Sequence, residues 1–573
     1  MNSETWDLSD LFPSIDSTQV RDAINDLTVA SEAFALLPAL PDAGATSEDF
    51  SNRLDQYERL ILTVNRLTVY AEMVWSVDVE DTTSRQFREE VAATTASAGA
   101  KLTGFRVWWQ SLDQDEADRL AVVAGDRAWH LQELRGHAAH SLSERDELIV
   151  AMKDANGLRP LVSIYGSIKS RYATADLVEP TNSSDRMARH AAYKRFYQIS
   201  AYEGPILEQI YQAIVNDWRS DYVELRGYAS PLAASIEGSG LTDDVVHAVL
   251  SACRRNSSVF GPVFSRISHL LGVAPLQLYD LTAPLDDQTP AYTYSEAVAI
   301  LLDSHRAFDA RLGASATKIF DHRHAHAAFQ ERNRLGGYCW SAAPDLVPWI
   351  FFSYRGTYED LSTKLAHETG HAIHHLAAAD RGAIAHDIPA PLAEISSTFS
   401  QLIVSDYLLS RTSDPRTRER LLVTELMNLH QALIRQAYLA LFEIEAHDLV
   451  RGGATLETIC NAYLTLRREQ FHDCVEVSDF FRWEWFNVRH FFEAPFYICA
   501  YPFGVLAAIS IFEQCRQEGQ VVKEAYLKLL ESGASASAVE LLDRAGFPVS
   551  QADFWDAAFQ YVQRLATELE GIE

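Results

Sequence analysis

His367-Glu368-Thr369-Gly370-His371 reads H-E-x-x-H, a spacing that constrains the chain to be helical at this point. Residues four apart on a helix share a face, one turn apart. His367 and His371 can then aim imidazole nitrogens at one ion. Glu368, about 100° further round the axis, flanks that ion without binding it. Two imidazoles and a neighbouring carboxylate in this order suit a zinc ion that acidifies water and a base that takes the proton. The flanking residues agree with a helix. Thr357 with Asp360 makes a capping-box pattern, and Leu361, Leu365, Ala372, Ile373 and Leu376 supply an apolar side. A buried helix carrying two hydrogen-bonded histidines would give the same local pattern.

A catalytic zinc takes three protein ligands and keeps one position open. After the helix comes a loop with Asp380, Arg381, Gly382, Pro389 and Pro391, and then an apolar helical pattern resumes at Leu392. Glu394 stands at the start of that second helix, where a loop reversal brings it back beside the first, and it is the expected third ligand. His386 and Asp387 compete for the role from the loop, where position is less fixed. A first-turn Glu also suits a helix dipole with no metal at all. One zinc per chain is expected, although two His and a carboxylate also accept cobalt or manganese.

His-Glu-x-Gly-His followed by Ala393-Glu394-Ile395-Ser396-Ser397-Thr398 resembles the zinc site of the thimet-oligopeptidase-like metallopeptidases, and most closely their oligoendopeptidase F branch. Trp6-Asp7-Leu8-Ser9-Asp10-Leu11-Phe12-Pro13 is similar to that branch's opening. Arg226-Gly227-Tyr228, Tyr279-Asp280-Leu281 and Gly336-Gly337-Tyr338-Cys339 match further landmarks, so the likeness spans nearly the whole chain. It implies a mainly α, multi-helix fold with a deep central channel and one small β-sheet near the zinc helix. The implied activity is zinc-dependent hydrolysis of internal bonds in short, unstructured oligopeptides. His367, His371 and Glu394 would hold the metal and Glu368 would be the base. A zinc carboxypeptidase or dipeptidase with the same site, or an inactive peptide-binding relative, are the alternatives. The intact Glu368 argues against the last.

The rest of the chain fits a large globular protein. Its 573 residues exceed one simple core, and 47% hydrophobic with 22% charged residues is ordinary for such a protein. A net charge of −30 excludes the basic footprint that nucleic acid or an anionic membrane surface requires. Oligopeptides are the expected partners, with a homo-oligomer left open. No basic segment followed by an apolar run opens the chain. Six scattered cysteines form no framework, so a reducing, cytoplasmic setting is expected. Leu54, Tyr57, Ile61, Val64 and Leu67 recur at helical spacing within a run of predicted long helices over 15–150. The polar stretch 179–185 suggests a boundary between an N-terminal helical domain, 1–185, and a catalytic domain, 186–573. Irregular chain is expected around 230–240 and over 275–290.

Three further stretches carry side chains with chemistry. His322, His324 and His326 alternate, which is expected to be a solvated loop or helix end rather than a strand presenting ligands. Residues 336–354 are rich in aromatic and β-branched side chains and predict a strand. Just before the zinc helix it would either bind a substrate backbone by β-augmentation or belong to an ordinary core sheet. Residues 494–512 carry no charge, but Pro495, Pro502 and Gly504 interrupt them, and a buried core helix is expected rather than a membrane span. Buried polar groups here need partners. The family's His, then Phe-Tyr-x-x-x-Tyr, resembles His490, Phe496-Tyr497 and Tyr501. By that resemblance the three are oxyanion donors or substrate clamps, with Tyr501 the less certain match.

Overall fold

Most helices begin where a short polar side chain can take over the first free backbone donors. Ser17, Thr46, Asp81 and Asp113 each accept a bond from the N–H three residues on, and helices run over Thr18–Ala35, Ser47–Val77, Thr82–Lys101 and Gln114–Ala124. In the second of these, Leu54, Tyr57 and Leu67 are buried and Ile61 and Val64 pack partly buried on the same core, as their spacing predicts. The computed structural model describes residues 4–171, 175–285 and 291–572. The far end of the irregular stretch expected over 275–290 lies outside these.

The chain packs as two compact units, each built from separated segments. The first comprises Met1–Ala138, Pro290–Arg411 and Cys515–Phe547, and the second Ala139–Thr289, Thr412–Gln514 and Pro548–Glu573. This partition differs in kind from the division at 185/186, since both of those residues fall in the second unit. Asp185 caps the long helix Arg186–Trp218, accepting from the N–H groups of Met187 and Ala188.

The first unit holds the one small sheet found among the described residues. Strands β1 (Ala325–His326), β2 (Tyr338–Trp340) and β3 (Trp349–Phe351) lie in the order β1-β3-β2. β3 runs parallel to β1 and antiparallel to β2. One expectation changes here. The alternating histidines do enter a strand: His326 is in β1, and both His324 and His326 are buried. The apolar neighbours Ala325 and Ala327 and the aromatic side chains of Trp349 and Phe351, on which the two rings stack, give that short segment a core to enter. The strand nearest the H-E-x-x-H segment, β3, has partners on both sides. A further strand could add only at an edge.

Three helices complete the surroundings of this sheet, α1 (Tyr294–Phe308), α2 (His367–Ala377) and α3 (Ala390–Arg411). Ala297, Leu301, Ile350, Phe352, Leu361, Leu365, Ala372 and Val404 form their common core.

The uncharged stretch becomes most of the helix Ala500–Glu518. Tyr497–Glu518 is long and apolar enough to cross a membrane, and 83% of its most apolar window is buried inside the protein, as expected of a core helix. Of the six cysteines, all unpaired, Cys253, Cys460, Cys499 and Cys515 are buried, while Cys474 is exposed. His430 is fully buried in a cage of Phe260, Phe264 and Phe471, with ring centroids 5.1–5.3 Å away. Neither ring nitrogen has a hydrogen-bond partner.

Burial pushes the His430 imidazole down to about 3, with Arg467 and Arg435 adding to the effect. The folded ring therefore stays neutral at a pH where the unfolded one, at about 6.5, takes up a proton. Stability should fall as pH drops below 6.5, by up to about 1.4 kcal/mol per pH unit from this residue alone. Urea unfolding at pH 7 and pH 5 should show a smaller loss for His430→Leu than for wild type. An equal loss would mean that the ring is protonated in place.

Candidate metal centre

The capping box read from the sequence forms. The Asp360 N–H donates to Thr357 Oγ1 at 3.0 Å, and Asp360 Oδ2 accepts from the N–H groups of Thr357 and Arg355. The first turns, Asp360–Ala366, are wound as a π-helix before α2 begins at His367. Such widened turns are uncommon and are frequent at functional sites.

α2 and α3 lie against each other because residue 370 has no side chain. A Cβ there would sit 2.6 Å from Ser397 Cα and 2.8 Å from Ser400 Cβ, and would also collide with the Ser396 carbonyl oxygen. No real Cβ makes such contacts, so only glycine lets the helices approach this closely. Ser400 ties them further, donating to the Ala366 carbonyl at 2.5 Å, while its hydroxyl lies 2.9 Å from His305 Nε2 of α1.

This approach gathers His367, His371 and Glu394. His367 Nε2 lies 3.2 Å from His371 Nε2 and 3.7 Å from Glu394 Oε2, and the three donor atoms fall within 4.8 Å of one another. Metal–ligand bonds of about 2.0–2.1 Å place tetrahedral ligands about 3.3–3.4 Å apart, so the set fits one zinc-sized ion. Each member is also held from behind. His367 Nδ1 lies 3.4 Å from Gln401 Oε1, the Ser397 hydroxyl donates to Glu394 Oε2 at 3.2 Å, and the His371 ring bonds the Ala393 backbone. Such partners fix ring tautomer and carboxylate direction in metal sites. Burial, with His367, His375 and His374 adding, pushes the His371 imidazole far below its usual range. It is therefore held neutral, with a lone pair to offer.

Glu368 is 5% exposed. Burial raises its carboxyl to about 7, with Glu394 adding to the rise and His367 opposing it. Gly337, just before β2, passes so close to its Oε1 that a side chain there would collide with it. The two loop competitors are placed elsewhere. His386 Nε2 meets Ser341 Oγ at 2.6 Å and its ring packs on His375. Neither it nor Asp387 belongs to a metal-competent group among the described residues.

His490, Tyr497 and Tyr501 belong to the second unit and form a cluster of their own. The His490 and Tyr497 rings are nearly parallel at 5.6 Å, and Tyr501 stands edge-on to both at 5.9 and 5.5 Å. The turn that folds Tyr497 back on His490 runs through Phe496, whose φ of 62° is left-handed. That conformation is costly for a bulky residue. The Phe496 N–H donates to Glu443 Oε1 at 2.9 Å, and Glu443 is fully buried, with burial lifting its carboxyl to about 8. Tyr497 remains 42% exposed.

Sequence reading missed Gln401, Ser397, Glu443 and the role of Gly370. Gln401 had a legible signal, since it follows Glu394 by seven residues on the same helix face. Glu443 had none, because its contact is 53 residues distant in the chain.

Residues 180–561 match the profile of peptidase family M3. Among curated relatives, the oligoendopeptidase F homologue of Lactococcus lactis subsp. lactis is 22% identical over 599 residues, covering 99% of this chain and 96% of its own. Oligopeptidase PepF of Bacillus subtilis is 21% identical, covering 99% and 87%. Among solved structures, oligoendopeptidase F from Enterococcus faecium superposes with a TM-score of 0.66 at 19% identity, covering 97% of each chain.

Gly370→Ala gives opposing expectations. Helix propensity alone would stabilise α2 by about 1 kcal/mol, whereas forcing α3 away should cost about 1–3 kcal/mol and displace Glu394 from the histidines. Thermal unfolding should show net destabilisation, and chelator competition should show weaker zinc binding. A variant as stable as wild type would mean that the helices do not touch here.

Proposed function

Since the chain belongs to peptidase family M3, we propose that it is a zinc-dependent endopeptidase that cleaves internal bonds of short, unstructured oligopeptides. The observation that carries this reading is the convergence of His367, His371 and Glu394 beside a buried carboxylate that is not itself a ligand. The names of its relatives, oligoendopeptidase F and oligopeptidase, support the choice of oligopeptides.

In this reading His367 Nε2, His371 Nε2 and Glu394 Oε2 hold the metal. Zinc, when bound, supplies Lewis-acid polarisation of water and of the scissile carbonyl. Glu368 takes the proton of the attacking water and passes it to the departing amine. Its burial suits both proton transfers, because a carboxyl near 7 accepts a proton and releases it at neutral pH. Glycine at 337 lets the backbone pass against the Glu368 carboxylate without a side chain of its own in the way. For the oxyanion that forms as the carbonyl is attacked, we assign His490 and Tyr497 as hydrogen-bond donors and Tyr501 as a weaker contributor. The exposure of the Tyr497 phenol and its stacking on His490 support that assignment. The activity is placed in the cytoplasm, in keeping with four buried, unpaired cysteines.

Digestion of a peptide library, with both new termini sequenced, tests the reading. Internal cleavages that cease with a chelator and return with zinc are expected. Removal of single C-terminal residues would overturn the endopeptidase assignment. Glu368→Gln should keep its zinc and fold yet lose about 10²–10⁴-fold in turnover. Turnover within a few-fold of wild type would rule out its role as base. Tyr497→Phe should lower kcat about 10²–10³-fold with little change in KM, as for a donor used only in the transition state. A larger loss in Tyr501→Phe than in Tyr497→Phe would reverse the ranking of the two phenols.

A further inference from the structure

His324 presents an unsolved problem of hydrogen bonding. Its ring is fully buried, stacked on Trp349 at 4.0 Å, and its Nδ1 lies 2.8 Å from the Val347 carbonyl oxygen. A carbonyl can only accept, so Nδ1 carries the proton and donates. In the neutral ring Nε2 is then a bare lone pair. It is buried without a hydrogen-bond partner, and Asp10 Oδ2 lies 3.3 Å from it. A lone pair opposite a carboxylate repels unless a cation sits between them.

A third donor stands at the same point. His322 Nδ1 lies 3.3 Å from Asp10 Oδ2, and the two histidine rings are 5.4 Å apart. His322 and Asp10 are about half exposed, so His322 can take either tautomer, its other nitrogen meeting solvent. Arg323 between the histidines has a left-handed φ of 59°, a costly conformation for a residue with a Cβ. That turn carries the chain from the end of the helix Ala310–Asp321 into β1. Its positive side chain pairs with Asp7, 3.7 Å away.

We propose that Asp10 Oδ2, His322 Nδ1 and His324 Nε2 bind a divalent first-row transition ion, a second metal separate from that of His367, His371 and Glu394. Two edges of the triangle, at 3.3 Å each, match the roughly 3.3–3.4 Å between tetrahedral ligands bonded at about 2.0–2.1 Å. The Val347 carbonyl behind His324 is the acceptor that orients a metal-ligating imidazole. With Asp10 and His322 facing solvent, water completes the coordination. Imidazole with one carboxylate suits zinc or cobalt better than calcium or magnesium. The ion's role is structural. It staples the N-terminal segment to the sheet, beside the bonds that the Asp7 N–H gives to the Arg323 carbonyl and Trp349 Nε1 gives to the Asp7 carbonyl.

The two sites are told apart by counting metal. Full-length wild type, stripped with chelator, dialysed against zinc and gel-filtered, should carry two zinc ions per chain. His322→Gln and Asp10→Asn should each carry one while keeping wild-type peptidase activity. The His367→Ala/His371→Ala chain should also carry one, and adding His322→Gln should bring it to none. In that double-variant background zinc should raise the melting temperature only while Asp10 and His322 are present. A stoichiometry in His322→Gln equal to wild type would overturn the proposal. So would a His367→Ala/His371→Ala chain free of zinc with no thermal shift, leaving His324 and Asp10 as an imidazolium–carboxylate pair. Since the count in the double variant is independent of catalysis, it stands or falls separately from the peptidase reading.

Discussion

The contact between α2 and α3 at Gly370 is the constraint on which the candidate site depends. Two helices normally keep 8–10 Å between axes because side chains stand between them. Here one missing Cβ brings the backbone of Ser396 and Ser397 against α2. Glu394, one turn earlier in α3, is thereby carried to the side of His367 and His371. The H-E-x-x-H spacing aligns only two donors. The third comes from another helix, and its distance is set by packing rather than by any local rule. The bonds from Ser400 to Ala366 and from Ser397 to Glu394 hold the arrangement where the glycine permits it.

Burial does the electrostatic work around that contact. The core that α1, α2, α3 and the sheet share is dry enough to raise Glu368 and to depress His371. A neutral imidazole offers a lone pair, and a carboxylate whose proton affinity matches neutral pH can serve as both acceptor and donor. The same environment acts on His324 with a different outcome. There the carbonyl behind the ring decides which nitrogen is bare, and a carboxylate faces it.

Backbone strain marks the residues that local sequence preference would not have shaped. Arg323 and Phe496 are left-handed without being glycine, and each lies beside a group of polar side chains given a role above. At Phe496 the cost is offset by a bond to the buried Glu443 and by packing on His447. At Arg323 its carbonyl receives the Asp7 N–H. In both places tertiary partners over-determine a conformation that the residue alone avoids.

Sequence by itself determined the helices, because capping residues and apolar spacing act within a few residues of each other. Thr357 starts a helix as its capping pattern predicts, and the spacing of Leu54, Tyr57 and Leu67 marks the buried face. It also determined the pairing of His367 with His371, which needs nothing beyond helical geometry. Residue chemistry in the His490–Tyr501 stretch singled out the three side chains that cluster. Only the tertiary structure decided the rest. The alternation of His322, His324 and His326 looked solvated, yet Trp349 and Phe351, distant in sequence, give two of these rings a core to enter. The strand signal over 336–354 was legible, but not that β3 lies centrally, because strand order depends on β1 from outside that run. The segments of each compact unit are widely separated in sequence, so a linear boundary could not describe them. Composition and periodicity report what a residue meets within a turn or a strand. Which surfaces then meet depends on close approaches such as that at Gly370, where the informative feature is an atom that is absent.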